Sequence, residues 1–549
     1  MQTRDITDLV HKTLNNVQDT SLYRAIQRRI AIDTRSLAIF RMVIGALMIA
    51  DILLRSPNFH FFYTDLGAVP LDLAINVAPE GAFSIYFLSG NWHLTAVLFL
   101  LQIIFGVFLI IGWRTRFTAV FSFLLVVSLC HRNVLVTSYA DVLFRHLLFF
   151  AMFLPLGERW SIDATRRKHP PSAQVAGLAS FLILLQMVLM YLVNGYHKHH
   201  SSLWKSGEAL PVILAHDSIT FASGDFLGQF TTLLTVGGLF WLYLLTVSFL
   251  LLLLTGRSRT ALVAAFIAIH LLLAVTVRIG EFSYVAIAGL LLFIPPVLWR
   301  DVEHVCSKSR FPLATWKYRL VTVAHRTNTI FPRVPRPSLF AVRPGPRQVA
   351  SVVVLIILAV AGADMVVVNL QTVGYLGEDS VPMQHTVEDS KETFGIDQPD
   401  WSIFAPNTSV TDEWIIVAVE TTTGERTDLL NNRPLSFERP DRLSAQWHTY
   451  RERFYWEELE HRIVGDHYRN YLCQSGSQRS NGDPVAYITV YEVTEVIDPN
   501  YPETYSHPSL RSKDIDVLYV GACNERIPTL VEPISPTVRR NGSEMAILN

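Results

Sequence analysis

Long apolar runs, rather than an alternation of apolar and polar positions, characterise the first 370 or so residues of the chain. Several runs hold about twenty nearly uncharged residues, which is what a helix rising ~1.5 Å per residue needs to cross a ~30 Å hydrocarbon layer. We predict about nine membrane-spanning helices, at 36–54, 93–112, 117–136, 141–156, 175–195, 234–255, 259–277, 282–299 and 348–370. The fourth is short and contains Arg145 and His146. A re-entrant helix there would change the count by one.

Lys and Arg residues in the loops set the orientation, because cytoplasmic loops of membrane proteins carry an excess of them. They fall on alternate sides of the predicted spans, at Arg24, Arg28, Arg29, Arg114, Arg116, Arg166, Arg167, Lys168, Arg257 and Arg259. The loop 300–347 carries about ten basic residues against two acids, and its stretch from Pro332 to Pro346 is typical of an extended linker. We therefore expect this loop and the N-terminus to be cytoplasmic and the chain after residue 371 to lie outside.

The pattern changes after the last span to short β-branched and aromatic runs separated by turn-like stretches. We predict strands at Trp414–Val419, Val485–Val496 and Ile515–Val520, with a helical pattern from about Leu443 to Leu472 packed across them. The fold class is thus an α-helical polytopic membrane protein with a C-terminal extracytoplasmic α+β domain. The predicted divisions are a cytoplasmic segment 1–34, a transmembrane domain 35–300, a cytoplasmic loop 301–347, a final transmembrane helix 348–370 and an outer domain 371–549.

Composition and net charge limit the classes of partner that the chain is expected to bind. The chain is 50% hydrophobic with a net charge of −1, which predicts a membrane lipid environment and argues against nucleic acid. On this topology only Cys473 and Cys523 share the oxidising side, so they form either a disulfide or two separate buried thiols. The sequons at Asn407 and Asn541 would face outward, where glycosylation could occur in a host that carries it out.

Charged residues inside the predicted spans need a partner, a water-filled cavity or a function. Asp141 and Arg145 are four residues apart with the acid first, which favours an intrahelical ion pair, and we predict that they neutralise each other. Arg41 and Asp51 lie nearly three helical turns apart, so each needs other partners. His270, alone on an apolar helix, is by default a hydrogen-bonded core histidine.

The stretch from Tyr191 to Trp204 is the most unusual in the chain, because a predicted span ends there in a burst of titratable side chains. Burial disfavours the charged form of an amine, so Lys198 either acts as a base near neutral pH or extends its ammonium group to the membrane surface. His197, His199 and His200 are of a residue type that binds metals, which makes them candidate ligands. No regular helix directs three such rings to one point and no carboxylate or thiol lies beside them, so we predict no metal.

Five stretches carry a family resemblance: Leu37–Asp51 with Tyr63-Thr-Asp-Leu-Gly, Trp160-Ser-Ile-Asp163, Gly195-Tyr-His-Lys198, His270 with Ile279–Ala288, and Trp401-Ser-Ile-Phe-Ala-Pro406. They resemble the vitamin K-dependent gamma-glutamyl carboxylase family, and in particular its prokaryotic branch, the HTTM (horizontally transferred transmembrane) proteins. The resemblance covers roughly residues 33–300, with the last motif at the start of the outer domain. It implies a multi-pass protein of the cell membrane.

The resemblance also implies a chemistry. In the family, the lysine that matches Lys198 is taken to deprotonate a reduced quinone, here reduced vitamin K or menaquinone, which then reacts with O2. The resulting base takes a proton from the gamma carbon of a glutamate before CO2 adds, which no ordinary side chain could do. The substrate would be a secreted glutamyl peptide or protein. The implied pocket or supporting residues are His270, His197, Arg41, Asp51 and Tyr284.

Two positions depart from the carboxylases. Val136-Thr137 stand where the carboxylases have an Asn-His pair, and His197 stands where they have a second lysine. Two classes of function remain. One is a quinone-dependent carboxylase or related oxidoreductase, a lyase in the first case, with Lys198 and His270 facing each other across an apolar cavity. The other is a non-enzymatic membrane scaffold, immunity factor or secretion partner that displays the C-terminal domain.

Overall fold

The structure, a computed structural model, describes residues 21–308, 344–377, 393–475, 483–524 and 526–533. The predictions made for residues 1–20, for most of the basic Pro-rich loop and for the sequon at Asn541 lie outside these ranges. Within them the chain divides into a helical part and a C-terminal domain that contains a β-sheet.

The helical part begins with a short helix and a two-residue strand pair. Its elements are α1 Ser21–Ile30, β1 Ile32–Asp33, α2 Thr34–Arg55, α3 Phe59–Tyr63, α4 Leu71–Val77, α5 Trp92–Ile111, α6 Thr115–Arg132, α7 Tyr139–Ala151, α8 Ile162–Thr165, β2 Gln174–Val175, α9 Leu178–His199, α10 Ser202–Ser206, α11 Ala209–Leu214, α12 Ser223–Leu227, α13 Thr231–Thr246, α14 Leu250–Leu253, α15 Gly256–Thr276, α16 Phe282–Leu291, α17 Pro296–Lys308 and α18 Pro344–Thr372. The strands β1 and β2 pair antiparallel. They tie the start of α2 to the start of α9.

Five helices in the described residues are long and apolar enough to cross a membrane. They are Thr34–Tyr63, Trp92–Ile111, Leu178–His199, Gly256–Thr276 and Val349–Thr372. A sixth span results if α16 and α17, which meet at 93°, count as one. The nine predicted spans are therefore not confirmed, and neither is the outer placement of the C-terminal domain.

Besides the span predicted at 282–299, which corresponds to the bent pair α16 and α17, three predicted spans account for the difference. The α7 helix has 13 residues, which cover roughly 20 Å at ~1.5 Å per residue and fall short of the hydrocarbon layer. The α13 helix ends at Thr246, and the remainder of that predicted span folds as the separate short helix α14. The α6 helix has 18 residues and is not among the apolar spans, since its ends carry Arg116 and Arg132.

The helices differ in how far the protein itself encloses them. Every residue of α7 after Tyr139 is buried, so this helix lies in the core of the helical part. The last helix, α18, packs against α9 and leaves apolar side chains such as Val352, Val353 and Ile356 exposed. Exposed aliphatic side chains on a long apolar helix are what contact with lipid requires.

The C-terminal domain contains one five-stranded sheet and several short helices. Its elements are β3 Thr411–Thr421, β4 Arg426–Asp428, β5 Arg433–Pro434, α19 Arg451–Glu457, α20 Arg462–Ser475, β6 Val485–Val496, α21 Glu503–Ser506 and β7 Lys513–Ala522. The strand order is β5-β4-β3-β6-β7, and all neighbouring strands are antiparallel. The three predicted strands are confirmed. The helical pattern from Leu443 to Leu472 forms two helices, α19 and α20, rather than one.

A disulfide joins Cys473 at the end of α20 to Cys523 just after β7, with the Cα atoms 5.6 Å apart. This settles the choice that the sequence left open. Because α20 packs on β7, the bond fastens the helix to an edge strand of the sheet.

A cluster of charges holds the sheet against the helical part. The buried carboxylate of Asp412 on β3 accepts hydrogen bonds from the backbone N–H groups of Asp217 and Ser218, at 3.0 and 3.1 Å. Arg511 lies 3.4 Å from the same carboxylate and donates to the Ala215 carbonyl at 2.9 Å. The start of β3 is thereby fixed to the loop that follows α11.

Candidate functional site

Lys198 lies in the last turn of α9 and is only 2% exposed. Its Nζ donates a hydrogen bond of 2.8 Å to the carbonyl of Ile403 and lies 3.7 Å from the ring centroid of Trp204. No carboxylate forms an ion pair with it in the part of the chain that the structure describes. The amine is therefore enclosed by the protein. It does not extend outward, as an ammonium group that reaches the membrane surface would.

Residues 400–406, which we call the covering segment, lie over the end of α9. The Asn194 side-chain amide donates to the carbonyls of Trp401 and Ile403 at 2.9 and 3.0 Å. The indole N–H of Trp204 donates to the Phe404 carbonyl at 2.7 Å. Side chains from α9 and α10 thus fix the backbone of the Trp401-Ser-Ile-Phe-Ala-Pro406 motif directly above Lys198.

Two residues of the covering segment adopt unusual backbone angles. Trp401 and Phe404 have φ values of 50° and 52°, in the left-handed region that side chains larger than glycine rarely occupy. Each such residue costs roughly 1–3 kcal/mol and persists only where the surroundings enforce it. Trp401 is fully buried and packs beside Tyr139, whose hydroxyl also bonds Ser402 at 2.8 Å. These contacts and the hydrogen bonds to α9 hold the covering segment in this backbone conformation.

A cavity of about 300 Å³, the junction cavity, lies between the helical part and the C-terminal domain. Its aromatic lining consists of Tyr139, Phe282, Phe404, Tyr450 and Phe454. Ile403 of the covering segment also lines it, so the residue that binds the Lys198 amine forms part of the wall.

His270 is fully buried on α15 and does not share the junction cavity. Its Nε2 is 2.8 Å from the hydroxyl of Tyr191, and the rings of Trp241 and Phe282 lie about it. Tyr191 precedes Lys198 on α9 by seven residues, roughly 10 Å along the helix axis. Lys198 on α9 and His270 on α15 are thus both enclosed, with Lys198 and the Tyr191 partner of His270 at different levels of α9. Neither Lys198 nor His270 lines the junction cavity, so the expected arrangement of the two across one apolar cavity is not found there.

The remaining predicted site residues lie in separate places. Arg41 is buried and donates to the Trp160 carbonyl at 2.6 Å. Tyr284 is 46% exposed on α16. His197 binds the covering segment through the Asp400 carbonyl at 2.8 Å.

The neighbouring histidines do not converge with it. His199 is 2.7 Å from the Thr246 hydroxyl, whereas the Nδ1 of His200 is 2.9 Å from the Tyr196 carbonyl. The three rings at the end of α9 therefore engage three different groups.

Asp51 belongs to a buried network of five charges that joins the two parts of the protein. Its carboxylate is 2.8 Å from Arg55 and 2.9 Å from Arg451 of α19. Asp141 pairs with the same two arginines, and Glu281 is 3.1 Å from Arg451. Burial acts to lower the pKa of Arg451, but Asp141, Glu281 and Asp51 raise it well above its usual value. The arginine therefore stays charged.

This network corrects one prediction and confirms another. The expected Asp141–Arg145 pair is wrong, because the carboxylate of Asp141 bonds Arg55 and Arg451 instead. The expectation that Arg41 and Asp51 need separate partners is confirmed. A spacing of four residues on a helix permits an ion pair between Asp141 and Arg145. The fold, however, brings the guanidinium groups of Arg55 and Arg451 to the Asp141 carboxylate, which binds them instead.

Several residues at this junction were not singled out from the sequence. Asn194 and Trp204 lie within the stretch that drew attention to Lys198, and Glu281 lies within the matched motif Ile279–Ala288. Arg451 and His216 carried no sequence signal, because only the docking of the C-terminal domain brings them to the junction.

Comparison with known proteins gives one match. Residues 30–299 match the family model of the HTTM domain, a range that includes Arg41, Asp51, Lys198 and His270. No curated protein and no solved structure matches the chain. The C-terminal domain, with the covering segment, lies outside the matched range. Through the domain at residues 30–299, the chain belongs to the HTTM family.

Proposed function

We propose that this protein is a quinone-dependent enzyme of the vitamin K-dependent gamma-carboxylase type, in which Lys198 is the initiating base. It would act at the outer face of the cell membrane, with the C-terminal domain extracytoplasmic. The HTTM domain, which is linked to vitamin K-dependent carboxylase-like membrane proteins, supports the class of protein. The state of Lys198 supports the chemistry.

The observation that carries the proposal is the burial of the Lys198 amine without a carboxylate partner in the described residues. Burial disfavours the charged form of an amine, and a neutral amine is a competent base. A lysine with a purely structural role would keep its charge by pairing with an acid or by reaching water. Lys198 does neither: its Nζ contacts a backbone carbonyl and the face of the Trp204 ring, and neither of these groups carries a net negative charge.

The residues around the junction cavity fit a quinone headgroup. Five aromatic rings line it, and its volume of about 300 Å³ is at the lower end of the range for small-molecule sites. Flat rings pack favourably against aromatic side chains in offset or edge-to-face contact. When bound, a reduced quinone would supply, with O2, the strong base that takes the proton from the gamma carbon of a glutamate before CO2 adds.

The contribution of the chain itself is confined to a few groups. The Nζ of Lys198 would accept a proton from an acidic hydroxyl at the junction. The Ile403 carbonyl and the Trp204 ring hold the amine, and Asn194 holds the covering segment that carries Ile403. The aromatic lining excludes water, which strengthens the electrostatic interactions inside.

A scaffold is the second candidate, and the same contacts favour it. Asn194, Trp204, His197 and Lys198 all bind backbone carbonyls of the covering segment. These bonds would fasten the C-terminal domain to the helical part in a protein without any catalytic activity. The absence of the family's Asn-His pair at Val136-Thr137 agrees with this reading.

The test compares Lys198→Ala with Asn194→Ala in the full-length protein. Purified protein receives reduced vitamin K or menaquinone, O2, labelled bicarbonate and a glutamyl peptide, and both label incorporation and quinone epoxide are measured. Asn194 is the matched control, because it binds the same Ile403 carbonyl from the same helix but its amide cannot act as a base. Loss of both products in Lys198→Ala, with only a partial loss in Asn194→Ala, is the expected result.

Two outcomes would reject the proposal. Equal losses in both variants would mean that Lys198 acts only by holding the covering segment. Neither product from the wild-type protein, with any of these quinones, would leave the scaffold as the better account.

A further inference from the structure

An acidic face lies beside the junction cavity on the C-terminal domain. It consists of Glu413 on β3, Glu492 on β6, Asp516 on β7 and Glu457 at the end of α19. The three strands are neighbours in the sheet, with Ile415 opposite Glu492 and Glu492 opposite Asp516. Glu413 is two residues from Ile415, so its side chain points to the same side of the sheet.

One arginine serves this acidic face within the described residues. Arg453 is 2.6 Å from Glu413 and 3.0 Å from Glu457. Four carboxylates therefore share a single cation. Burial acts to lower the pKa of Arg453, but Glu413 and Glu457 raise it above its ordinary value, so the guanidinium is charged.

The remaining negative charge is costly to the fold. Glu492 and Asp516 are directly opposite each other in the antiparallel pair of β6 and β7, and like charges in that position are destabilising. Burial, with Glu413, Glu457 and Asp516, raises the pKa of Glu492 to about 7. A local conflict of this kind is expected where a protein keeps residues for a ligand rather than for stability.

The acidic face continues into the junction cavity, because Arg453 and Glu457 line it. His216 lines the same cavity and is only 4% exposed. Its Nδ1 donates to the Val212 carbonyl at 2.7 Å, and its Nε2 has no hydrogen-bond partner in the described residues. A neutral imidazole that donates through Nδ1 has a lone pair on Nε2. The cavity thus holds a buried acceptor without a donor.

We infer, on the basis of the proposed function, that the substrate is a peptide segment in which Lys or Arg side chains accompany the reacting glutamate. The cationic side chains bind the acidic face, and an N–H of the segment that enters the cavity donates to Nε2 of His216. The aromatic rings that line the cavity also favour a cationic group, through attraction to their π faces.

The extent of the acidic face favours a peptide over a small free amine. Its carboxylates lie on three adjacent strands, which are roughly 5 Å apart each, and on a helix beside them. A single ammonium group cannot contact them all. Two or more basic side chains along a peptide can, and each additional contact adds to the affinity.

The experiment measures peptide binding rather than turnover. A fluorescent glutamyl peptide with two lysines, the same peptide with glutamines in their place, and spermidine as competitor are titrated with the full-length protein in zwitterionic nanodiscs. The variants are Glu457→Gln and Asp516→Asn, which change exposed side chains on the acidic face, and His216→Gln within the cavity. Glu420→Gln is the control, because Glu420 lies seven residues beyond Glu413 on β3 and pairs with Arg426.

We expect the lysine peptide to bind more tightly than the glutamine peptide, with the difference shrinking at high salt. Each exposed carboxylate removed should weaken the lysine peptide by roughly two- to fivefold. His216→Gln should weaken both peptides by a similar factor, and Glu420→Gln should leave both unchanged. Equal affinity of the two peptides, or no effect of Glu457→Gln and Asp516→Asn, would overturn the inference.

Two further outcomes separate this inference from others. Spermidine that binds as tightly as the lysine peptide would overturn the assignment to a peptide. Tight, salt-sensitive peptide binding by a protein that consumes no quinone would sustain the acidic face as a peptide site while the proposed function fails.

Discussion

Arg451 of the C-terminal domain lies 2.9 Å from Asp51 of the first apolar helix, in an ion pair between residues 400 positions apart in the chain. The pair is buried and shares its charges with Arg55, Asp141 and Glu281. A charge placed so deep in a neighbouring domain makes the two parts of the protein depend on each other for stability.

We predict that Arg451→Met destabilises the whole protein. The change leaves Asp51, Asp141 and Glu281 with Arg55 as the remaining cation of the network, and breaking a buried ion pair in this way typically costs about 3–5 kcal/mol. Denaturant or thermal unfolding in detergent measures the loss. The control is Arg462→Met, at a side chain that is 93% exposed, for which a change within roughly 0.5 kcal/mol is expected. Similar losses in the two variants would contradict the network's role.

Glu492 makes stability depend on pH. Its pKa is raised from 4.5 to about 7 in the fold by burial, Glu413, Glu457 and Asp516. Between these values the folded protein retains a proton that the unfolded chain releases, so the free energy of unfolding falls as pH rises from 4.5 to 7. Glu492→Gln removes this loss. The variant should match the wild type near pH 4 and exceed it above pH 7, and parallel stability curves across that range would refute the assignment.

Removing the disulfide is predicted to destabilise the C-terminal domain. The Cys473–Cys523 bond closes a separation of 50 residues, and the loss of a native disulfide typically costs about 2–5 kcal/mol. The Cys473→Ala, Cys523→Ala double variant should therefore unfold at a lower temperature than the wild type. Cys306→Ser, at a cysteine outside this disulfide, is the control. An unfolding temperature of the double variant equal to that of the wild type would contradict the prediction.

The orientation of the chain remains a prediction, and thiol labelling tests it. We expect Cys306 on α17 to be inaccessible to an impermeant maleimide added to intact cells, because it follows the cytoplasmic end of the predicted eighth span. A cysteine introduced at Asn407, an exposed residue just after the covering segment, should react without permeabilisation. Reaction of both positions from the same side would reverse the proposed location of the C-terminal domain.

Much of the secondary structure could be predicted from the sequence, because local pattern determines it. The strands β3, β6 and β7 follow β-branched and aromatic runs, and the five apolar spans follow nearly uncharged runs of sufficient length. The sequence pattern does not distinguish a helix that is apolar because it contacts lipid from one that is apolar because the protein encloses it. The α7 helix is mostly apolar, as a membrane span is, but its 13 residues are buried inside the protein.

The site could be predicted only in part, for a related reason. The stretch around Lys198 stood out because titratable groups follow an apolar run, and Trp401–Pro406 stood out by resemblance. Their contact could not be anticipated, since it depends on backbone carbonyls that carry no sequence signature. Arg451 is an ordinary surface-type residue in the sequence and gains its role from the docking of α19 alone.

Chemical rescue of Lys198→Ala by small amines tests most directly the claim that Lys198 is a base. The substitution removes the amine and leaves a space of its size beside Trp204 and the Ile403 carbonyl. If Lys198 accepts a proton, ethylamine should restore consumption of the reduced quinone in proportion to its neutral fraction, so the rescue should rise with pH. Quinone consumption that is undiminished in Lys198→Ala, or lost and not restored by any amine while Asn194→Ala stays active, would contradict the claim.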